Sequence, residues 1–82
     1  MFVYALYNHE ANELYIGQTN NVERRLEEHN TKRGNHHTAR FRGEWELIYQ
    51  ESVATRSEAL LREKQLKSYR GRAYTQTLIP EK

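Results

Sequence analysis

The hydrophobic pattern of this chain changes period within its first twenty residues, and nothing else restricts its fold so tightly. Residues 2 to 7, Phe-Val-Tyr-Ala-Leu-Tyr, are aromatic, β-branched or otherwise apolar, as are Leu14-Tyr15-Ile16, and a polar segment from Asn8 to Glu13 separates the two runs. Such runs are strand-length, and the polar stretch between them reads as a hairpin loop, so two antiparallel strands are expected. After Gly17 the pattern turns helical. Asn20 is placed to cap the first free amides and Glu23 to reach back in a capping box, which predicts a helix over about 21–31. A third apolar run alternates Trp45, Leu47 and Tyr49 against Glu46, Ile48 and Gln50, with Val53 a little later, and predicts a third strand. Thr55-Arg56-Ser57-Glu58 repeats the capping logic before a second helix, predicted over about 55–68 and ending near Gly71. Ala73 to Ile79 is expected to form a short third helix before Pro80. The fold class is therefore α+β, in the order ββαβα(α): a small three-stranded antiparallel sheet flanked by two main helices and a short C-terminal one.

At 82 residues the chain has room for one domain, residues 1–82, with one modest core. With no cysteine it has neither a disulfide framework nor a thiolate metal site, which suits a reducing cytoplasm. The apolar opening Met1 to Tyr7 has no basic residues before it and gives way at once to Asn8-His9-Glu10, too short for an export signal or a membrane span. The formal net charge is only +2, but its distribution matters more than its sum. From Lys32 to Arg42 the run KRGNHHTARFR carries four Lys or Arg and two His without an acid, and from Arg62 to Arg72 five basic residues face only Glu63. Either stretch is a solvated surface or a footprint for a phosphate backbone. On the second reading Lys32, Arg33, Arg40, Arg42, Lys67, Arg70 and Arg72 are the contacts.

Some residues break the amphipathic pattern. At helical spacing Val22, Arg25, Leu26 and His29 share a face about 100° wide, while Glu23, Arg24, Glu27 and Glu28 occupy the rest. A guanidinium on the core side needs a partner or a purpose, so Arg25 is either a structural ion pair at the core edge or a functional group. In the second helix Ala59, Glu63 and Leu66 fall within about 60°, and Glu63 interrupts the buried stripe. Its carboxylate is either a partner for Arg25 or a tyrosine hydroxyl, or a ligand for a hard divalent cation. Leu61 falls outside that stripe and is expected to pack on the C-terminal segment. Tyr4 and Tyr15 share a sheet face if opposing residue numbers sum to an odd value. Each is a packing residue or a reactive phenol. Gly17 follows directly, where a missing side chain lets backbone or ligand approach.

Taken together these residues resemble the GIY-YIG nuclease family. The second of its two short tyrosine motifs is literal here as Tyr15-Ile16-Gly17, continuing as YIGQTNNVERRLEEHN in the manner of the small standalone members. The first is degenerate: Phe2-Val3-Tyr4 keeps the tyrosine and replaces the glycine with Phe2. By position Arg25 matches the family's catalytic arginine, His29 the His-or-Tyr one helical turn later, and Glu63 the metal-binding glutamate.

The resemblance implies an endonuclease that hydrolyses phosphodiester bonds in DNA, or in a related nucleic acid, with one Mg²⁺ or Mn²⁺ held by Glu63. Arg25 would orient the phosphate and spread its developing charge, a bidentate task that lysine cannot reproduce. Tyr4 or Tyr15 would take the proton of the attacking water, tuned downward by Arg25 or the metal, with His29 accepting the proton or contacting the phosphate. Gly17 would keep the floor of the site open. A zinc site built from His29, His36 and His37 competes weakly, because adjacent loop histidines rarely share one ion and a fourth ligand is missing. Phe41 and Trp45 could stack on an unpaired base, although Trp45 at a strand start reads as core. Two other readings stay open: a binding module that keeps the fold without useful turnover, and the nuclease subunit of a larger repair or mobile-element assembly whose protein partner supplies specificity. The sequence leaves the oligomeric state and the choice of DNA or RNA open.

Overall fold

The computed structural model describes residues 1–31 and 42–79. Strands β1 (Phe2–Asn8) and β2 (Glu13–Thr19) form the expected hairpin, and β3 (Trp45–Ser52) pairs antiparallel with the other side of β1, giving the order β2-β1-β3. The central strand is buried from Val3 to Asn8, which is why it reads as a continuous apolar run rather than an alternation. The end of the hairpin is tied by its polar residues. Asn8, fully buried, accepts from the Ala11 amide at 3.0 Å and donates to the Arg42 carbonyl at 2.7 Å. The Tyr7 hydroxyl donates to Asn12 Oδ1 at 2.6 Å, and Asn12 takes the left-handed φ of 53° that asparagine tolerates.

Two apolar clusters lie on the two faces of the sheet. Tyr4, Leu6, Val22 and Trp45 form one, joined by Phe2, Tyr15, Leu26 and Leu47. Val3, Ala5, Ile16, Ala59 and Leu66 form the other, joined by Leu14, Ile48, Tyr49 and Val53. The expected alternation of β3 fails at Tyr49. Leu6 faces Leu47 but Ala5 faces Tyr49, so Ile48 is the extra residue of a bulge, and Tyr49 moves to the face opposite Trp45 and Leu47.

Helix α1 (Val22–Asn30) covers the Tyr4 face. Its cap is Asn21 rather than Asn20: the Asn21 side chain accepts from the Arg24 amide at 3.1 Å, while Asn20 accepts from the Arg24 guanidinium at 3.4 Å. Helix α2 (Arg56–Lys67) covers the Val3 face and starts as expected, with Thr55 accepting from the Glu58 amide at 3.1 Å. It ends at Ser68, whose hydroxyl at once caps α3 (Tyr69–Gln76) by accepting from the Gly71 amide at 3.3 Å. The last helix thus begins four residues before Ala73, and Gly71 lies inside it rather than past the end of α2. The reason is steric, since a Cβ at Gly71 would lie 2.2 Å from the Gln65 carbonyl oxygen of α2. Leu61, expected to pack on the C-terminal segment, is 58% exposed. Among the described residues no helix is long and apolar enough to cross a membrane.

Candidate active site

The hairpin register places the tyrosines. Tyr4 faces Gly17 and Leu6 faces Tyr15, pairs whose numbers sum to 21, so Tyr4 and Tyr15 do share a face. That face is the one α1 covers. His29, one turn beyond Arg25, is buried there, its Nε2 lying 3.1 Å from the Tyr4 hydroxyl. The His29 ring stands 4.8 Å from that of Tyr15 and 6.2 Å from that of Tyr4, and the two tyrosine rings are 6.1 Å apart. Trp45 closes the wall, 6.4 Å from both His29 and Tyr15. It is buried in the core, as its position at a strand start suggests.

The room above Gly17 is occupied rather than open. A Cβ there would lie 2.9 Å from Tyr15 Cε2 and 3.0 Å from the Tyr4 hydroxyl, so this glycine lets the two phenols close over β2. The expectation of an open floor gives way to that crowding.

Arg25 stands at the mouth of the cluster, half-buried, its Nη1 3.1 Å from Glu28 Oε1. Its charge is permanent: burial pulls its pKa down, but the Tyr4 hydroxyl and Glu28 outweigh that and raise it. Tyr4 is pushed up to about 12, first by burial and then by Tyr15, with Arg25 pulling the other way. The expected downward tuning by the arginine is present but outweighed, so at neutral pH Tyr4 holds its proton. That hydroxyl lies within hydrogen-bond distance of His29 Nε2, and it donates there where Nε2 carries no proton.

Glu63 comes from another helix. It belongs to α2, on the other helix layer, where its carboxylate is ion-paired with Lys67 at 3.1 Å. Lys67 lies one turn on along the same flank and lines a cavity together with Tyr15, so this flank of α2 runs beside the open edge of β2. Among the described residues no group of three His, Cys, Asp or Glu side chains could hold a metal ion. A lone, mostly buried carboxylate already holding one cation fits a hard divalent ion whose remaining ligands are water and phosphate, and does not form a preformed cage.

Of the basic residues, Lys32, Arg33 and Arg40 fall outside the described residues, as do His36, His37 and Phe41. Arg42 is exposed near the start of β3, and Lys67, Arg70 and Arg72 are exposed at the α2–α3 corner. One residue of the site has no counterpart in the sequence reading. Asn30 donates to the Trp45 carbonyl at 3.1 Å and accepts from the Trp45 amide at 2.6 Å, fixing the tryptophan against His29. Local spacing gives no sign of a clamp between residues 15 apart.

A hairpin bearing two facing phenols, with an arginine and a histidine brought over it by the next helix, defines a class. Residues 1–75 match the GIY-YIG catalytic domain, and the chain belongs to the GIY-YIG family. Within it the chain is similar to UPF0213 proteins. It is 40% identical over 68 residues to one from Staphylococcus epidermidis, covering 83% of this chain and 80% of the relative. It is 48% identical over 56 residues to one from Haloquadratum walsbyi, covering 68% of this chain but only 62% of the relative. A Staphylococcus aureus UPF0213 protein is 43% identical over 56 residues, 68% of this chain and 67% of its own. No solved structure matches the chain.

Proposed function

We propose that the protein is a metal-dependent endonuclease that hydrolyses phosphodiester bonds in DNA or a structured nucleic acid. The observation that carries this reading is the 3.1 Å contact between Tyr4 and the buried His29 beneath an arginine with donors to spare. Such a pair moves a proton without a preformed phenolate. As Tyr4 takes a proton from the attacking water, its own proton passes to His29 Nε2, so the phenol stays neutral and the proton ends on the imidazole. Arg25 also presents its remaining N–H donors to the scissile phosphate. Glu63 would hold Mg²⁺ or Mn²⁺, which supplies charge neutralisation on the phosphate and the departing oxygen. Lys32, Arg33, Arg40, Arg42, Lys67, Arg70 and Arg72 would contact the backbone of the nucleic acid, with DNA the first candidate. A cytoplasmic place, a role in DNA repair and a protein partner that supplies specificity are consistent with this reading.

One observation favours a second reading, a nucleic-acid-binding module without useful turnover: Glu63 sits on the helix layer opposite α1. One experiment separates the two. Purified protein is incubated with labelled DNA and RNA duplexes, branched substrates and single strands, with and without Mg²⁺ or Mn²⁺. Cleavage that needs the metal and disappears in Tyr4→Phe upholds the nuclease. Tight binding with no cleavage of any substrate under either metal overturns it in favour of the binder.

A further inference from the structure

We propose that the groove along the open edge of β2 grips one unpaired strand of nucleic acid by its phosphates, so that the substrate is single-stranded beside the scissile bond. The identity of the polyanion rests on the nuclease reading; the groove itself does not.

Residues Asn12, Tyr15 and Ile16 of the hairpin line a cavity of about 580 Å³, closed on the far side by Lys67 of α2 with Arg72 and Gln76 of α3. β2 is an edge strand of the sheet formed by the described residues, so its outer side faces no further strand there. Its walls are cationic. The Arg72 guanidinium makes no hydrogen bond or ion pair among the described residues, and Lys67 is held only by Glu63 at 3.1 Å. From Lys64 to Gln76 the chain carries Lys64, Lys67, Arg70 and Arg72 without one acid, and Glu13 is the only acid lining the groove among the described residues. Positive charge therefore continues beyond the cavity toward the exposed Arg70 and Tyr69.

Two features select a single strand over a double helix. The cavity falls in the roughly 300–1,000 Å³ range of small-ligand sites, which a nucleotide or two fills and a duplex does not enter. The groove also sits between layers. Tyr15 belongs to the cluster on the α1 face while Lys67 and Arg72 come from the helices on the other, so a chain touching both must turn around the edge of the sheet. An unpaired strand makes that turn easily, held by a charged groove that does not read sequence. An acidic peptide added alongside β2 would use the same edge, but the run of cations without acids, reaching from α2 into α3, suits a repeating phosphate backbone better.

The test is direct binding in EDTA, where cleavage does not intervene. Fluorescence anisotropy is read with a labelled oligothymidylate and with a blunt duplex of the same length, for the parent and for Lys67→Gln/Arg72→Gln, exchanges that keep helix-forming side chains. The double variant should bind the single strand roughly tenfold more weakly at low salt, and its log–log salt slope should shrink by about 1.4. Duplex binding should change by less than about twofold. Equal losses for duplex and single strand, or no loss for either, overturn the proposal, as does an acidic peptide of equal charge that competes as well as the oligonucleotide. Should the double variant melt early, Arg72→Gln alone should shrink the slope by about 0.7, and no change there counts against the groove. A protein that shows the contrast but cleaves nothing keeps the groove and loses the nuclease reading. One that cleaves without showing the contrast does the reverse.

Discussion

Two trios of arginine, tyrosine and glutamate stand on opposite faces of the same sheet, and they are spent differently. On the α2 face Arg62 grips Glu51 through Nε at 2.9 and 3.2 Å and through Nη2 at 3.0 Å, and gives Nη1 to Gln65 at 3.0 Å. The Tyr49 hydroxyl donates to the same carboxylate. Hydrogen bonds from Arg62 and then Tyr49 hold the Glu51 pKa below its ordinary value, and Glu51 in turn raises that of Arg62. On the α1 face Arg25 gives one nitrogen to Glu28, also bonds the Tyr4 hydroxyl, and makes no further hydrogen bond or ion pair among the described residues. A guanidinium with all three of its nitrogens bonded to side chains is a fastener. One with donors to spare beside a buried Tyr–His pair is available for a phosphate, and on the proposed function that difference assigns Arg25 rather than Arg62 to the chemistry.

The contrast can be broken most sharply at the arginines. Arg25→Ala should lower single-turnover cleavage by about 10²- to 10³-fold while nucleic-acid affinity changes little, because its charge is needed where charge develops in the reaction. If the variant unfolds instead, Arg25 is a fastener like Arg62 and the comparison collapses.

The next effect is read in alkali. The Tyr4 pKa is raised from 10.0 to about 12, so the stability linked to its proton is complete below pH 10 and is lost as pH rises through 12. Two units correspond to at most about 2–3 kcal/mol, less for partial solvation of the site. Urea unfolding between pH 9 and 12 should show that fall in the parent and a flatter curve in Tyr4→Phe. Identical curves would mean that Tyr4 ionises as easily folded as unfolded.

Gly17→Ala sharpens the comparison from the packing side, since on the α1 face two phenols close over a glycine. The added methyl meets Tyr15 Cε2 at 2.9 Å and should cost about 1–3 kcal/mol, read from the urea midpoint. A neutral result would show that the rings over β2 are loosely held. The smallest effect belongs to the fastener. Arg62→Ala should destabilise by up to about 1 kcal/mol, because its trio is partly exposed, and should leave cleavage untouched. A loss of turnover there would move chemistry onto the wrong face.

Much of this molecule was legible before its coordinates. Three strands, the helix starts near Asn21 and Thr55, and the inward placement of Arg25 and His29 follow from period and capping, which act over a few residues. Tyr4 and Tyr15 could be said to share a face only on a condition about register, and the hairpin satisfies it. What failed was non-local. The bulge that sends Tyr49 to the other face arises where β3 pairs with β1, and the clamp of Asn30 on Trp45 joins a helix end to a strand start. Gly71 looked like a terminator but serves the close approach of α3 to α2. Glu63 shows the division most clearly. Helical spacing groups Glu63 with the buried Ala59 and Leu66, but spacing carries no information about which side of the sheet a helix will cover. That choice is made by the pairing order β2-β1-β3 and by which apolar stripe buries against which face, and both depend on contacts between segments far apart in the chain.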